Sequence, residues 1–167
     1  MLAVFLIGIT ATLVVINVDS NQDDIARLEA ERFAALVGHM RDESVIVGYP
    51  IAVQQDLVDN QYRFYELRDS WKLVDRDDVL RPRLIPQGVQ FSIQLIGAKS
   101  KESEQDQDED QDEDEDEIQN SAPKDLIVAE PGGLITQFIA LFSGESDVFS
   151  VTLDNRQELI VAAEDSG

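Results

Sequence analysis

Hydrophobic positions change their period twice along this chain. The run Met1–Val18 is apolar or uncharged throughout. It then passes without a breaker into an amphipathic segment in which Ala26, Ala30, Phe33, Val37, Met40 and Val47 recur at spacings of three, four or seven, with Leu36 beside them. That spacing places one apolar stripe along a helix. Arg27, Glu31, Arg32, Arg41, Asp42 and Glu43 mostly fall off the stripe, toward water or a neighbouring subunit. Gly48 suits a helix C-cap and Pro50 holds its predecessor in extended geometry, so the helix ends near Val47. A helix of about 47 residues is roughly 70 Å long.

Beyond Pro50 the period falls to two. Strands are predicted at Ile51–Gln55, Gln61–Leu67, Trp71–Val74, Val89–Ile96, Leu126–Ala129, Thr136–Phe142, Phe149–Leu153 and Leu159–Ala162. Asp59-Asn60, Asp69-Ser70 and Asp154–Gln157 supply turns. The clearest alternation sets Val89, Phe91, Ile93 and Leu95 against Gln90, Ser92 and Gln94. The expected fold class is therefore α+β. A long N-terminal helix packs on a C-terminal antiparallel β head of about eight short strands, divided into two small sheets. Phe33, Leu36, Val37 and Met40 are the expected helix–head contacts.

A spanning helix needs roughly 17–25 apolar residues. Leu2, Val4, Phe5, Leu6, Ile7, Gly8, Ile9, Leu13, Val14, Val15 and Ile16 supply the apolar body of such a span, which implies a single membrane pass. A secretory signal peptide fits less well, since neither a basic start nor an A-x-A-like cleavage site is seen. A buried core helix is the other reading, supported by Thr10, Thr12 and Asn17. The chain divides into residues 1–18 as the membrane half of the helix, 19–48 as its amphipathic half, and 49–167 as a β-rich head.

Composition adds two constraints. The formal net charge of −21, with no cluster among the 13 Lys and Arg, excludes a nucleic-acid surface. Twelve of the 34 acidic residues lie between Glu102 and Glu117, unbroken by a base. A run of that kind predicts a solvated, self-repelling insertion at 99–123, between Ile96 and Leu126. Weak, diffuse divalent-cation binding is its alternative use, although the glycine and spacing of an EF-hand loop are missing.

The candidate chemistry is sparse. With no cysteine there is neither disulfide framework nor thiolate metal site. His39 is the single histidine and falls on the helix beside the apolar stripe, without a nucleophile or metal set around it. Asp75, Asp77 and Asp78 are explained by turn chemistry more simply than by a glycosidase pair. Trp71, Tyr62 and Tyr65 could form an exposed aromatic patch for cargo, and core or cross-strand packing is the simpler reading. Phosphate-loop, dinucleotide, nucleophile-elbow and zinc spacings are absent, so the chain reads as a binding or structural protein with no catalytic role and no cofactor.

Several stretches carry a resemblance to a known family. Leu28–Val53, LEAERFAALVGHMRDESVIVGYPIAV, is similar to the end of the helix and the first strand in the GspH/FimT family of pilin-like proteins, with its Glu-Ser and its Gly-x-Pro-Ile. Tyr62-Arg63-Phe64, Trp71-Lys72-Leu73 and Asp77-Asp78-Val79-Leu80-Arg81-Pro82-Arg83, followed by Leu84, Pro86 and Gly88, resemble its middle section. Gly133–Phe138 resembles its Ser-Gly-Glu-x-x-Pro-Phe motif. Gly8-Ile9 aligns with the Gly-Ile of the family's apolar run, whose prepilin-peptidase and methylation signal lies upstream, so processing falls on no residue of this sequence.

The resemblance implies a pilin-like fold and the role of a minor pseudopilin of a type II secretion system. Such a subunit is anchored in the bacterial inner membrane with its head in the periplasm. From there it enters the pseudopilus, at or near the tip, beside other minor pseudopilins, the major pseudopilin, the inner-membrane assembly platform and secreted cargo. A minor pilin of a type IV pilus shares the family. A membrane-anchored periplasmic module that never polymerises, and binds cations or a basic ligand through its acidic arm, is the alternative from another class.

Overall fold

The computed structural model describes residues 2–75, 77–96 and 126–164, with side chains described from Gln22 onward. Among the described residues one helix, α1 (Leu2–Val47), precedes nine strands. Its end is fixed by Gly48, which takes the left-handed conformation (φ 77°) and donates its N–H to the Ser44 carbonyl at 3.0 Å. An L side chain there would be strained, which is why glycine occupies the cap.

The first sheet contains β1 (Ile51–Asp56), β2 (Gln61–Leu67), β3 (Trp71–Leu73), β4 (Arg83–Leu84) and β6 (Ile127–Ala129). Its order is β3-β2-β1-β6, with β4 added to β2 opposite Gln61 and Tyr62. The second sheet is β5-β7-β8-β9, formed by β5 (Gln90–Leu95), β7 (Phe138–Ser143), β8 (Val148–Leu153) and β9 (Leu159–Glu164). All pairings are antiparallel. The expected α+β architecture of one helix on two antiparallel sheets is therefore observed. The strand count differs by one, because Arg83–Leu84 pairs over only two residues, too few for any hydrophobic period to register.

Alternation is visible along the strands. Tyr62 and Phe64 of β2 are fully buried, while Arg63 and Tyr65 between them are partly exposed. Phe91 is buried between exposed Gln90 and Ser92. The core lies where both sheets meet α1, which packs on β1, β6, β7, β8 and β9.

The acidic tract Glu102–Glu117, and with it the expected solvated insertion at 99–123, lies outside the described residues. So do the side chains of Leu2–Ile16 on which the membrane reading rests. Among the remaining described residues, no helix is long and apolar enough to cross a membrane.

The end of the head nearest the helix N-terminus is held by Asp23. Its Oδ1 accepts the backbone N–H groups of Ser146 (3.0 Å) and Asp147 (3.1 Å) in the β7–β8 turn. Gly144 lets that turn approach, since a Cβ there would lie 2.8 Å from Asp23 Cα and closer still to the Asp23 carboxylate. Gly144→Ala is therefore expected to destabilise the head by about 1–3 kcal/mol through overpacking. A thermal melt indistinguishable from wild type would contradict this placement of the turn.

Candidate assembly interface

The buried face of α1 is built around one ring. Phe33 is fully buried and meets Tyr62 edge-on (centroids 5.2 Å, interplanar 82°), Phe91 at 5.4 Å, Phe142 at 5.6 Å and Phe138 at 6.3 Å. The helix thus touches rings from both sheets at a single residue. Ala26, Ala30, Val37 and Met40 are fully buried on the same stripe, and Leu36 is nearly so. Val47 is only partly buried where the stripe runs out.

Two polar side chains lie on that stripe, Glu29 and the serine of the Glu-Ser pair, Ser44. Glu29 is 1% exposed. Its carboxylate accepts the Tyr62 hydroxyl at 3.0 Å and pairs with Arg32 at 2.7 Å. A buried carboxylate needs such partners, because losing hydration without them is costly. Burial, and then the Glu29 charge, push the Tyr62 hydroxyl above its ordinary pKa, so it remains a donor throughout the accessible range. Ser44, also buried, donates to the carbonyls of Tyr49 (2.9 Å) and Ala129 (3.0 Å) and satisfies backbone acceptors at the helix end. Position was the available signal: Glu29 lies three residues after Ala26 and four before Phe33, and Ser44 four after Met40.

Arg41 extends the clamp by donating to the Gln157 carbonyl at 2.9 Å. From Asp23 to Ser44 the helix is thus tied to the head at five levels, by Asp23, Glu29, Phe33, Arg41 and Ser44. The opposite face carries Leu28 (52% exposed), Ala35, His39, Asp42 and Ile46 (78% exposed), with Arg27 paired to Glu31 at 2.8 Å.

The remaining candidates fall elsewhere. Tyr62 is buried, so Trp71, Tyr62 and Tyr65 do not form one exposed aromatic patch. Tyr65 and Trp71 share the other face of the first sheet, paired with Leu73 and Leu67. Asp77 does turn chemistry, its Oδ1 accepting the N–H groups of Leu80 (2.6 Å) and Val79 (2.7 Å), and His39 lies exposed on the outer face of the helix. A cavity of about 380 Å³ lies between the helix end and the first sheet, with Glu43, Glu66, Asp75 and Asp77 around Ile51, Leu73, Val74 and Leu80. Among the described residues, no three His, Cys, Asp or Glu side chains are grouped to hold a metal ion.

Backbone N–H donors hold the Asp23, Asp56 and Asp77 carboxyls below their ordinary pKa. A lowered folded pKa contributes stability above the unfolded value of about 3.9, and that contribution is lost as pH falls through the folded value. Combining Asp23→Asn, Asp56→Asn and Asp77→Asn should therefore reduce the fall in urea midpoint between about pH 4 and pH 2. An unchanged acid limb would show that these bonds do not persist in solution.

The helix-on-two-sheets arrangement has solved counterparts. The chain superposes on a crystal structure of the minor pseudopilin EpsH from the type II secretion system of Vibrio cholerae with a TM-score of 0.62, over 87% of this chain and 99% of that one. The fold is that of a minor pseudopilin. A second structure of Vibrio cholerae EpsH gives a TM-score of 0.60 over 83% of this chain and 96% of the other. Sequence identities are 19% and 16%, so the likeness rests on backbone arrangement. No protein-family model and no curated protein matches the chain. In this fold the five-level clamp joins helix to head, and among the described residues nothing covers the face from Leu28 to Ile46.

Proposed function

We propose that this protein is a minor pseudopilin of a type II secretion system, a structural subunit that makes and breaks no covalent bond. The observation that carries the reading is the likeness to EpsH over nearly the whole of both chains. The apolar run Met1–Val18 supports a single pass through the bacterial inner membrane, with the head in the periplasm. On extraction from the bilayer, that run packs against the helices of other pseudopilins in the pseudopilus. The clamp from Asp23 to Ser44 makes the head follow the helix. The outer face at Leu28, Ala35 and Ile46 meets the adjacent subunit, and a place at or near the tip suits a subunit present in few copies.

Deleting the gene in its source cell tests the reading. The expected result is that secreted proteins accumulate in the periplasm in folded form, and that a Leu28→Cys variant, in a chain with no native cysteine, cross-links to another pseudopilin. Undiminished secretion together with loss of surface pili would instead assign the protein to a type IV pilus.

A further inference from the structure

The β1–β2 hairpin tip presents the two most exposed large apolar side chains among the described residues, Val58 (93%) and Leu57 (80%). Leu84, 71% exposed, lies on β4, which pairs it with Gln61, the residue that follows the hairpin turn. Isolated exposed apolar residues are ordinary, but a contiguous group on a fixed loop marks a contact surface.

The tip is firmly held. Asp56 Oδ1 accepts the N–H groups of Val58 (3.0 Å) and Asp59 (3.2 Å). Arg63 pairs with Asp56 at 2.7 Å and with Asp59 as well, and Gln61 donates to both carboxylates. Asn60 adopts a left-handed φ of 48°, and its carbonyl accepts the Ile85 N–H at 2.9 Å. These bonds prevent Leu57 and Val58 from folding back onto the head. They also tie both acidic side chains of the tip to a cation.

Position selects the occupant. Ser44, near the C-terminal end of the helix, bonds Ala129, which pairs with Ile51 at the start of β1. Tyr62, at the start of β2, bonds Glu29. The hairpin therefore runs along α1 toward the helix N-terminus, and its tip lies two to three residues beyond the Gln55–Tyr62 pair. At about 3.3 Å per strand residue and 1.5 Å per helix residue, that puts the tip roughly level with Gln22–Asp24. Val18, the last residue of the apolar run, is then about 6–9 Å further along the axis.

The polar headgroup layer of one leaflet is about 5–7 Å thick. With the helix upright, the tip stands at the outer edge of that layer. An ordinary tilt of about 20° lowers a point on the order of 10 Å from the axis by about 3 Å, into the layer.

We propose that the Leu57–Val58 tip inserts into the headgroup layer of a neutral phospholipid surface while the run Met1–Val18 spans it. The inference rests on the membrane-anchored reading above. A chain with a net charge of −21 is repelled by anionic headgroups, so the preferred surface is uncharged. The contact fixes the rotation and tilt of the head before assembly and is broken when the helix is extracted.

The test uses the full chain reconstituted in phosphatidylcholine vesicles, with single cysteines carrying an environment-sensitive fluorophore. Val58→Cys reports the tip, Ile9→Cys the apolar run, and Asp69→Cys the β2–β3 turn at the far end of the hairpin. The expected result is blue-shifted emission quenched by brominated lipid at positions 9 and 58, with position 69 in water. Adding Leu57→Asn should abolish the quenching at 58. Quenching at 9 with position 58 as wet as 69 would overturn the proposal and leave the anchor intact. No quenching at 9 would overturn the anchor and the proposal together. A blue shift at 58 that grows with protein concentration and ignores brominated lipid would place a second copy on the tip and overturn the lipid contact.

Discussion

Phe33→Ala is expected to lower the unfolding free energy by about 3–5 kcal/mol, the range for removing a fully buried aromatic ring. The site has little capacity to collapse, because the ring contacts Tyr62 of the first sheet and Phe91, Phe138 and Phe142 of the second. Removing it opens a cavity bordered by rings that are themselves mutually packed, Phe91 lying 4.6 Å from Phe142 and 5.7 Å from Tyr62. The hydroxyl of Tyr62 is anchored to Glu29, so that ring cannot move far into the gap without leaving a buried carboxylate short of a donor. The measurement is urea unfolding of the full chain in detergent, followed by near-ultraviolet dichroism. Leu28→Ala on the outer face should be almost neutral by comparison, because Leu28 is 52% exposed. Equal losses for the two variants would mean that the helix is not docked through Phe33. At the upper end of the range, Phe33→Ala removes a large part of the stability expected of a single domain, and the helix and head would no longer move as one body.

Much of this arrangement was legible because it is local. Gln61–Leu67 alternates cleanly and forms a strand over that same span, and Asp154–Gln157 supplies a hairpin turn in which Gln157 takes a φ of 64°. Val89–Ile96 could be recognised from its alternation alone. The strand at Arg83–Leu84 could not, since two residues between Pro82 and Pro86 have no period, and their pairing is created by Gln61 and Tyr62 arriving beside them. The partition of strands between sheets was equally hidden, because β5 pairs with β7 across the segment that contains the acidic tract.

At the interface, the apolar stripe was readable and its polar members were not. Glu29 occupies a stripe position but is acceptable there only because Tyr62, 33 residues later, supplies a hydroxyl. Leu57 and Val58 are illegible in the sequence for the opposite reason. They sit in a turn whose Asp56, Asp59 and Asn60 announce solvent, and a composition reading has no means of seeing two apolar side chains held outward by those same acids.

Ile9→Asp should abolish secretion, whereas deletion of residues 102–117 should leave it largely intact. A carboxylate near the centre of a membrane helix costs about 2.5–3.5 kcal/mol on insertion scales. The run Met1–Val18 carries no charge, so its insertion rests on apolar side chains alone and a single carboxylate counts directly against it. The same carboxylate would be buried between neighbouring helices in a filament, with no basic residue in the run to pair with it. The anchored stage and the assembled stage therefore both fail through one substitution. The acidic tract makes the opposite prediction under the two views of the protein. A non-polymerising module that binds a cation or a basic ligand through its acidic arm loses its function with the tract, and tolerates a modest change in the apolar run provided it remains in the membrane. A filament subunit loses a charged insertion and keeps the surfaces that pack. Fractionating the two strains and assaying exported enzyme in the medium separates these outcomes, with immunoblotting to show that each variant accumulates. Secretion that survives Ile9→Asp but disappears with residues 102–117 would sink the filament role and assign the work of the protein to its acidic arm.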